Sequence, residues 1–432
     1  MARNVTFIHA ADIHLGAPTR GFGNLTPEWE NRLIESIPEA YDRVIDAALS
    51  RKVDFVIVAG DVFDTAQASY GDHLHFIDGL NRLDAAGIPS YLIAGNHDPL
   101  STWGDEFEAL PSSAHFIGKE SPEFELYDRD GEPLCLIGAR GYQNQAWPLD
   151  EPIAAGVDRA TAVEALKLAY PNAGRAPFMV GIIHTTLEPD QSKACSDPSA
   201  LLSADVDYWA CGHLHQRLVL PSDDNPRIVF PGCVQGRDLK ESESRGCFFV
   251  TLEERAGTAT PAVTLEFLPT SSVVFHTIKV DVSECGTLAD AVQLMQSSLF
   301  HANSHDHCAN MVVRIVLEGA TDLHEYLVQQ QVVESMRKRI NDAYPTFYCD
   351  TIVNRTHANR DRMLDKSEGL FSAQVLRVSD QQRAHGVEMV NYLQSEFVKR
   401  GLTIPASLPR RISNYSEMAE TLVMDLLERE SE

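Results

Sequence analysis

Positive charge is what this sequence has least of. Its 36 Lys and Arg face 62 Asp and Glu, a formal net charge of −26. A protein that grips nucleic acid by broad phosphate neutralisation is usually basic. This chain cannot work that way, so a polyanionic ligand needs a local positive site, supplied by bound cations or by a partner. The same acidity also keeps a protein soluble, whatever it does. The eight cysteines are scattered, with no Cys-x-x-Cys pair. That spacing argues against a disulfide scaffold or a zinc ribbon and leaves most of them as small buried apolar residues. No apolar run approaches the ~18–20 residues of a membrane span. The N-terminus enters a strand almost at once, with no signal-peptide pattern. A cytoplasmic protein with no membrane partner is expected. Internal repeats and low-complexity segments are also missing.

What remains is ordinary globular composition, 44% hydrophobic and 23% charged, in a chain of 432 residues, long enough for two or three domains. Its organising stretch is Gly95-Asn96-His97-Asp98, which follows the apolar run 88–94. A short apolar run closed by turn residues reads as a buried strand. The polar residues then sit at the strand's carboxyl end, where open α/β sheets bind ligands. Four other runs end the same way. Residues 5–11 lead into Asp12 and His14, and 55–60 into Asp61 and Asp64. Residues 178–183 end on His184, and 208–212 on His213 and His215. Any one of these has a plain alternative, since a strand-end Asp is often a helix cap and a lone His a hydrogen-bonded core residue. Five donor clusters at five strand ends point instead to a metal site.

Residues 1–98 alternate strand and helix, with helical apolar spacing over 29–51 and 72–86, which implies a mainly parallel sheet. Short strands follow at 114–140, a helix near 160–169, and strands at 178–184, 206–212, 227–231 and 246–252. Residues 254–260 read as a boundary. Beyond it comes strand 273–282, helix 287–299, strand 310–318, helix 322–342 and strand 346–353, a small α+β domain. Its His- and Asp-containing connection 301–308 reads as a polar surface loop, because no spacing there matches a known metal site. Residues 365–432 are mostly helical. Val387, Val390, Leu393 and Phe397 share one face, and Tyr415, Met418, Leu422 and Leu426 another. Such faces either close on the body or meet a partner, and the partner reading is preferred.

The candidate ligands are Asp12, His14, Asp61, Asn96, His184, His213 and His215. Carboxylate, imidazole and amide donors suit Mn²⁺, Fe²⁺ or Zn²⁺, and the lack of thiolate argues against a structural zinc. Seven ligands exceed one ion's needs but suit two ions sharing a carboxylate. Such a pair, ~3.5–4 Å apart, can clamp the oxygens of a phosphoester.

The series Asp12-x-His14, Gly60-Asp61-x-x-Asp64, Gly95-Asn96-His97-Asp98, His184 and Gly212-His213-x-His215 resembles the calcineurin-like metallophosphoesterases. Within them it is most similar to the SbcD-type DNA repair exonucleases. No Arg-Gly follows Asp64, as it would in protein phosphatases. Pro231-Gly232-Cys233-Val234-Gln235-Gly236-Arg237 resembles the YhaO-like subgroup, whose pattern continues with His where this chain has Asp238. The resemblance implies an α/β fold: a metallophosphoesterase β-sandwich flanked by helices (1–256), a small α+β capping domain (270–356) and C-terminal partner-binding helices (365–432). It places Asp12, His14, Asp61 and His215 on one divalent ion and Asp61, Asn96, His184 and His213 on the other. Two Mn²⁺ ions with a hydroxide between them are the implied cofactors. His97 would serve the leaving oxygen, oriented by Asp64 or by Asp98. DNA, an SMC-like coiled-coil ATPase and a second copy of the chain are the implied partners. Arg20, Arg140 and Arg217 lie near motif loops, as phosphate contacts or as solvated surface. The competing functions are a phosphodiesterase on a small nucleotide and a non-catalytic scaffold subunit.

Overall fold

The computed structural model describes residues 3–22, 25–64, 68–104, 110–190, 192–255, 257–258, 260–304, 306–308, 310–359, 371–384 and 386–400, with Tyr415, 419–420 and 423–424. The strands in chain order begin with β1 (Asn4–Ala10), β2 (Phe55–Val58), β3 (Ser90–Leu92), β4 (Ala114–Phe116) and β5 (Glu123–Arg129). Next come β6 (Glu132–Arg140), β7 (Phe178–His184), β8 (Tyr208–Gly212), β9 (Leu218–Ser222) and β10 (Asn225–Phe230). The last are β11 (Gly246–Glu253), β12 (Ala262–Pro269), β13 (Val273–Asp281), β14 (Asn310–Thr321) and β15 (Phe347–Ala358).

One six-stranded sheet has the order β12-β11-β1-β2-β3-β4, and a second β5-β6-β7-β8-β10-β9. In each, four adjacent strands are parallel: β1 to β4 in the first, and β6, β7, β8 and β10 in the second. The sheets face one another through a layer of buried apolar side chains. Phe7, Phe55 and Tyr91 of the first meet Ile137, Val180 and Tyr208 of the second. Phe7 stacks on Phe55 with ring centroids 4.9 Å apart, and burying each such ring contributes about 2–3 kcal/mol.

Helices cover the outer faces. Thr26 caps α1 (Pro27–Arg51), Pro27 occupies its first turn, and Lys52 closes it in the left-handed region. Leu33, Ile37, Tyr41, Val44 and Ala48 form its buried stripe. The α2 helix (Tyr70–Ala85) begins with a reciprocal Ser69–Asp72 capping box. Both pack on the first sheet, where the Tyr41 hydroxyl donates to the Phe76 carbonyl at 2.8 Å. On the other side, α3 (Arg159–Leu166) and α4 (Pro198–Ser203) bury Leu166 and Leu201 with Leu136, Met179 and Trp209 of the second sheet.

The chain divides into two compact units, the first being Met1–Thr277 with His301–Val313 and Pro345–Asp350. It runs past the expected boundary near 256. Residues 254–260 include the turn between β11 and β12, which pair over eight residues from Gly246↔Pro269 to Glu253↔Ala262. A hairpin turn and a domain linker share the same Gly- and Thr-rich composition, so the two look alike in sequence. The 301–308 connection is more than a polar surface loop. Asp306 accepts from His276 Nε2 at 2.7 Å and from Ser244 Oγ at 3.2 Å, and Cys308 is buried.

The second unit comprises Ile278–Phe300, Arg314–Tyr344 and Thr351–Glu432. Strands β13, β14 and β15 form a three-stranded sheet in that order. Helix α5 (Leu288–Asn303) buries Ala291, Val292, Met295 and Leu299. The single helix expected over 322–342 is two, α6 (His324–Leu327) and α7 (Gln330–Ala343), because Gln329 turns extended with ψ at 112°. Two further helices span Phe371–Ala384 and Gly386–Lys399. On the second, Val390, Leu393 and Phe397 are half-buried, whereas Tyr392 and Val398 are exposed. The side chain of Val387, with Met418, Leu422 and Leu426, lies outside the described residues.

Candidate metal centre

Every one of the seven candidate ligands sits just past the carboxyl end of a parallel strand, or on its last residue. Asp12 and His14 follow β1, Asp61 follows β2, Asn96 follows β3, His184 ends β7, and His213 and His215 follow β8. The backbone there is forced into an uncommon conformation. Asp12 (φ 51°), His14 (φ 55°), Asp61 (φ 52°) and His213 (φ 101°) all lie in the left-handed region. Such residues cost about 1–3 kcal/mol each and persist where surrounding structure over-determines them. Cross-links between the loops supply that constraint here. The amides of Asp12, His14 and Leu15 donate to the carbonyls of Gly60, Asp61 and Val62 at 3.1, 3.0 and 2.9 Å. The His213 amide donates to both Asp12 oxygens, at 3.1 and 3.0 Å. Two glycines permit the crowding. A Cβ on Gly95 would lie 2.1 Å from Asp61 Oδ1, and one on Gly212 would lie 2.0 Å from the Ala59 carbonyl oxygen.

The ligand atoms gather into two groups that could each hold a metal ion: Asp12, His14 and His215, and Asp61, His184 and His213. Asp61 Oδ2 lies 3.3 Å from His184 Nε2 and 3.8 Å from His14 Nε2, so it reaches both groups. His14 Nε2 and His215 Nε2 face each other at 3.0 Å, and His215 Nε2 is 3.9 Å from Asp12 Oδ1. In the second group Asn96 Oδ1 lies 2.8 Å from His213 Nδ1 and 3.2 Å from His184 Nε2. His184 Nδ1 donates to the Ala59 carbonyl at 2.9 Å, so Nε2, facing Asp61 and Asn96, is the nitrogen left to take a proton or a metal. Acceptors converging without a donor between them are what a cation requires. In the absence of a cation, Asn96 is better turned over, with its nitrogen toward the two imidazoles and its oxygen 2.9 Å from Lys193 Nζ.

Electrostatics shows the same demand for positive charge. Burial pushes the Asp61 carboxyl up, but His184, His14 and His97 outweigh it and hold it well below the usual range. Burial disfavours the charged form of His184, yet Asp61 and Asp12 raise it to about 9. His213 goes the other way, to about 3, through burial and the neighbouring His184. Asp12 is raised, its burial exceeding the help of His184 and His215.

His97 stands beside the first group, and with His14 and Asp64 it forms a further cluster that could hold a metal ion. Its ring meets His14 edge-on at 5.0 Å, its backbone amide donates to Asp61 Oδ1 at 2.8 Å, and its side chain is 38% exposed. Asp64 Oδ1 is 3.9 Å from His97 Nδ1. Asp98 is engaged elsewhere: its carboxylate accepts from the amides of Gly95 (2.8 Å), Val62 (2.8 Å), Asp61 (3.1 Å) and Phe63 (3.3 Å). Asp98 ties two loops together, and Asp64 is the carboxylate beside His97. Of the three arginines near the motifs, only Arg20 stands at the site, 3.7 Å from Asp64 and 61% exposed. Arg140 pairs with Glu151 over the Trp147 ring, and Arg217 lies over the Phe267 ring.

Sequence reasoning missed Lys193, Arg237 as a site residue, and Glu241. The last two come from the loop after β10, where Asp238 forms the turn by accepting from the Lys240 and Glu241 amides at 2.6 and 3.3 Å. The turn chemistry of Asp238 was a readable signal. What the turn presents was not.

The calcineurin-like phosphoesterase family matches residues 5–217, and the middle domain of metallophosphoesterase YhaO matches residues 275–357. The uncharacterized metallophosphoesterase YhaO of Bacillus subtilis (strain 168) is 31% identical over 324 residues, 74% of this chain and 73% of that protein. The chain belongs to the calcineurin-like metallophosphoesterases. The DNA double-strand break repair protein Mre11 of Methanosarcina mazei is 24% identical over 66% of this chain, which spans only 41% of that relative's length. Mre11 of Saccharolobus solfataricus is 23% identical over 91% of this chain and 96% of its own length. As a metallophosphoesterase the chain is a phosphoester hydrolase of a family built on a dinuclear metal centre, and the two ligand groups fit such a centre. Among the described residues, no helix of this metallophosphoesterase is long and apolar enough to cross a membrane.

Proposed function

We propose that this metallophosphoesterase is a metal-dependent DNA nuclease, an exonuclease that acts in DNA repair with two Mn²⁺ ions and an SMC-like coiled-coil ATPase partner. The observation that carries the proposal is the pair of ligand groups sharing Asp61, with the non-ligand His97 beside them. Asp12, His14, Asp61 and His215 would hold one ion, and Asp61, Asn96, His184 and His213 the other. Bound there, two divalent ions supply an activated water nucleophile and charge for the phosphoryl oxygens. The chain's own residues do the rest. His97, half-buried and adjacent, gives a proton to the leaving oxygen, and Asp64 keeps its ring in one orientation. His184, its Nδ1–H fixed by Ala59, keeps its Nε2 lone pair inward. The named relatives support DNA as the substrate, two of them being break-repair proteins.

A second reading, a phosphodiesterase on a small nucleotide, draws on the net charge of −26, which disfavours a long polyanion. Purified protein with Mn²⁺, offered end-labelled duplex DNA in one arm and cyclic nucleotides in the other, separates the two. Stepwise shortening of the DNA alone is expected. Turnover of the cyclic nucleotides without DNA shortening would establish the second reading instead.

A further inference from the structure

We infer that Glu241, held in place by Arg237, is a positioning residue for His215 and thereby tunes the affinity of one metal ion and not of the other. The inference rests on the dinuclear reading of the site but not on the substrate being DNA. Glu241 Oε1 lies 2.6 Å from His215 Nδ1. Its other oxygen accepts from the Arg237 backbone amide at 2.7 Å. Arg237 Nη2 sits 3.3 Å from Oε1 and 3.0 Å from His215 Nδ1. Both carboxylate oxygens are therefore committed, and the charge is balanced by a guanidinium that is only 8% exposed. With Nδ1–H donated to Glu241, the lone pair of His215 is confined to Nε2, the atom that faces His14 and Asp12.

The two ligand groups differ in what backs their imidazoles. His184 leans on a neutral carbonyl, that of Ala59. His215 leans on a carboxylate, and a charged partner makes the imidazole a stronger base as well as fixing its ring. His14, in the same group, has a buried Nδ1 with no hydrogen-bond partner. Of the two imidazoles in that group, only that of His215 is thus held through its Nδ1, and it is held by Glu241. The other group does not touch it. This loop lies outside every strand-end motif, and the turn around Asp238 exists to aim it: the Glu241 amide donates to the Asp238 carbonyl at 3.1 Å.

The test uses the full-length protein and Mn²⁺ alone, followed by calorimetric titration and by electron paramagnetic resonance. Wild type should bind two ions and show the spectrum of a spin-coupled pair. Glu241→Ala should keep one ion at wild-type affinity and weaken the other about 10–100-fold, the usual effect of losing such a partner. The coupled signal should give way to that of an isolated ion at low loading. Glu241→Gln, which retains an acceptor for Nδ1–H, should recover part of the loss, and it decides the matter if the alanine variant does not fold. Two ions at wild-type affinity in either variant would overturn the inference. So would equal weakening of both ions in a variant that melts like wild type. Metal counts do not depend on the substrate, so absence of DNA cleavage would refute the proposed function and leave this result standing.

Discussion

At the scale of single residues, the site separates side chains that would hold metal from one that would move a proton. His97 is not among the seven ligand candidates; its backbone amide reaches Asp61 and its ring meets His14 edge-on. His97→Ala should therefore keep two Mn²⁺ ions per chain while losing about 10²–10⁴-fold in turnover, the usual share of general acid help. Metal analysis paired with initial rates checks this, and near-normal turnover would remove His97 from the chemistry. The ligand candidates were legible in the sequence because a strand followed at once by a donor is a local pattern. Asp12, Asp61 and Asn96 each lie within a few residues of an apolar run. Glu241, Lys193 and the choice between Asp64 and Asp98 were not legible. Each depends on where a loop folds back, and Asp98 in particular is spent on four amides that no spacing reveals.

At the scale of elements, the parallel strands of both sheets deliver their loops to one place, and hydrogen bonds between loops hold the strained residues there. Asp98 is the main fastener between the loops after β2 and β3. Asp98→Ala would leave buried amides of Asp61, Val62, Phe63 and Gly95 without this acceptor. An unpaired buried amide costs about 1–3 kcal/mol, so even with partial relaxation the variant should lose about 3 kcal/mol or more. Urea denaturation of the metal-free protein measures it, and a loss under about 1 kcal/mol would mean that the loops are fastened elsewhere. The alternation of strands and helices through β3 was readable from apolar period alone. The hairpin β11–β12 was mistaken for a boundary because its turn has linker composition. The break at Gln329 carries neither Gly nor Pro, so nothing local announces it.

At the scale of the whole molecule, an acidic chain must meet a polyanion through a small positive site and whatever a partner adds. The C-terminal helices are the proposed place for that partner. Val378, Tyr392 and Val398 are 55%, 64% and 70% exposed there, and exposed apolar side chains in number mark an interaction surface. A chain ending at Asp365 should keep Mn²⁺-dependent cleavage of short DNA but lose stimulation by the ATPase and ATP. If the shortened chain instead loses the cooperative melting of the catalytic unit, those helices belong to its core. The central claim, two ions sharing Asp61, is tested most directly by anomalous diffraction from crystals grown with Mn²⁺. Two peaks ~3.5–4 Å apart on either side of the Asp61 carboxylate are predicted. The Asp61→Ala protein should lose at least one of them. A single peak in wild type, or two that persist in the variant, would contradict the account.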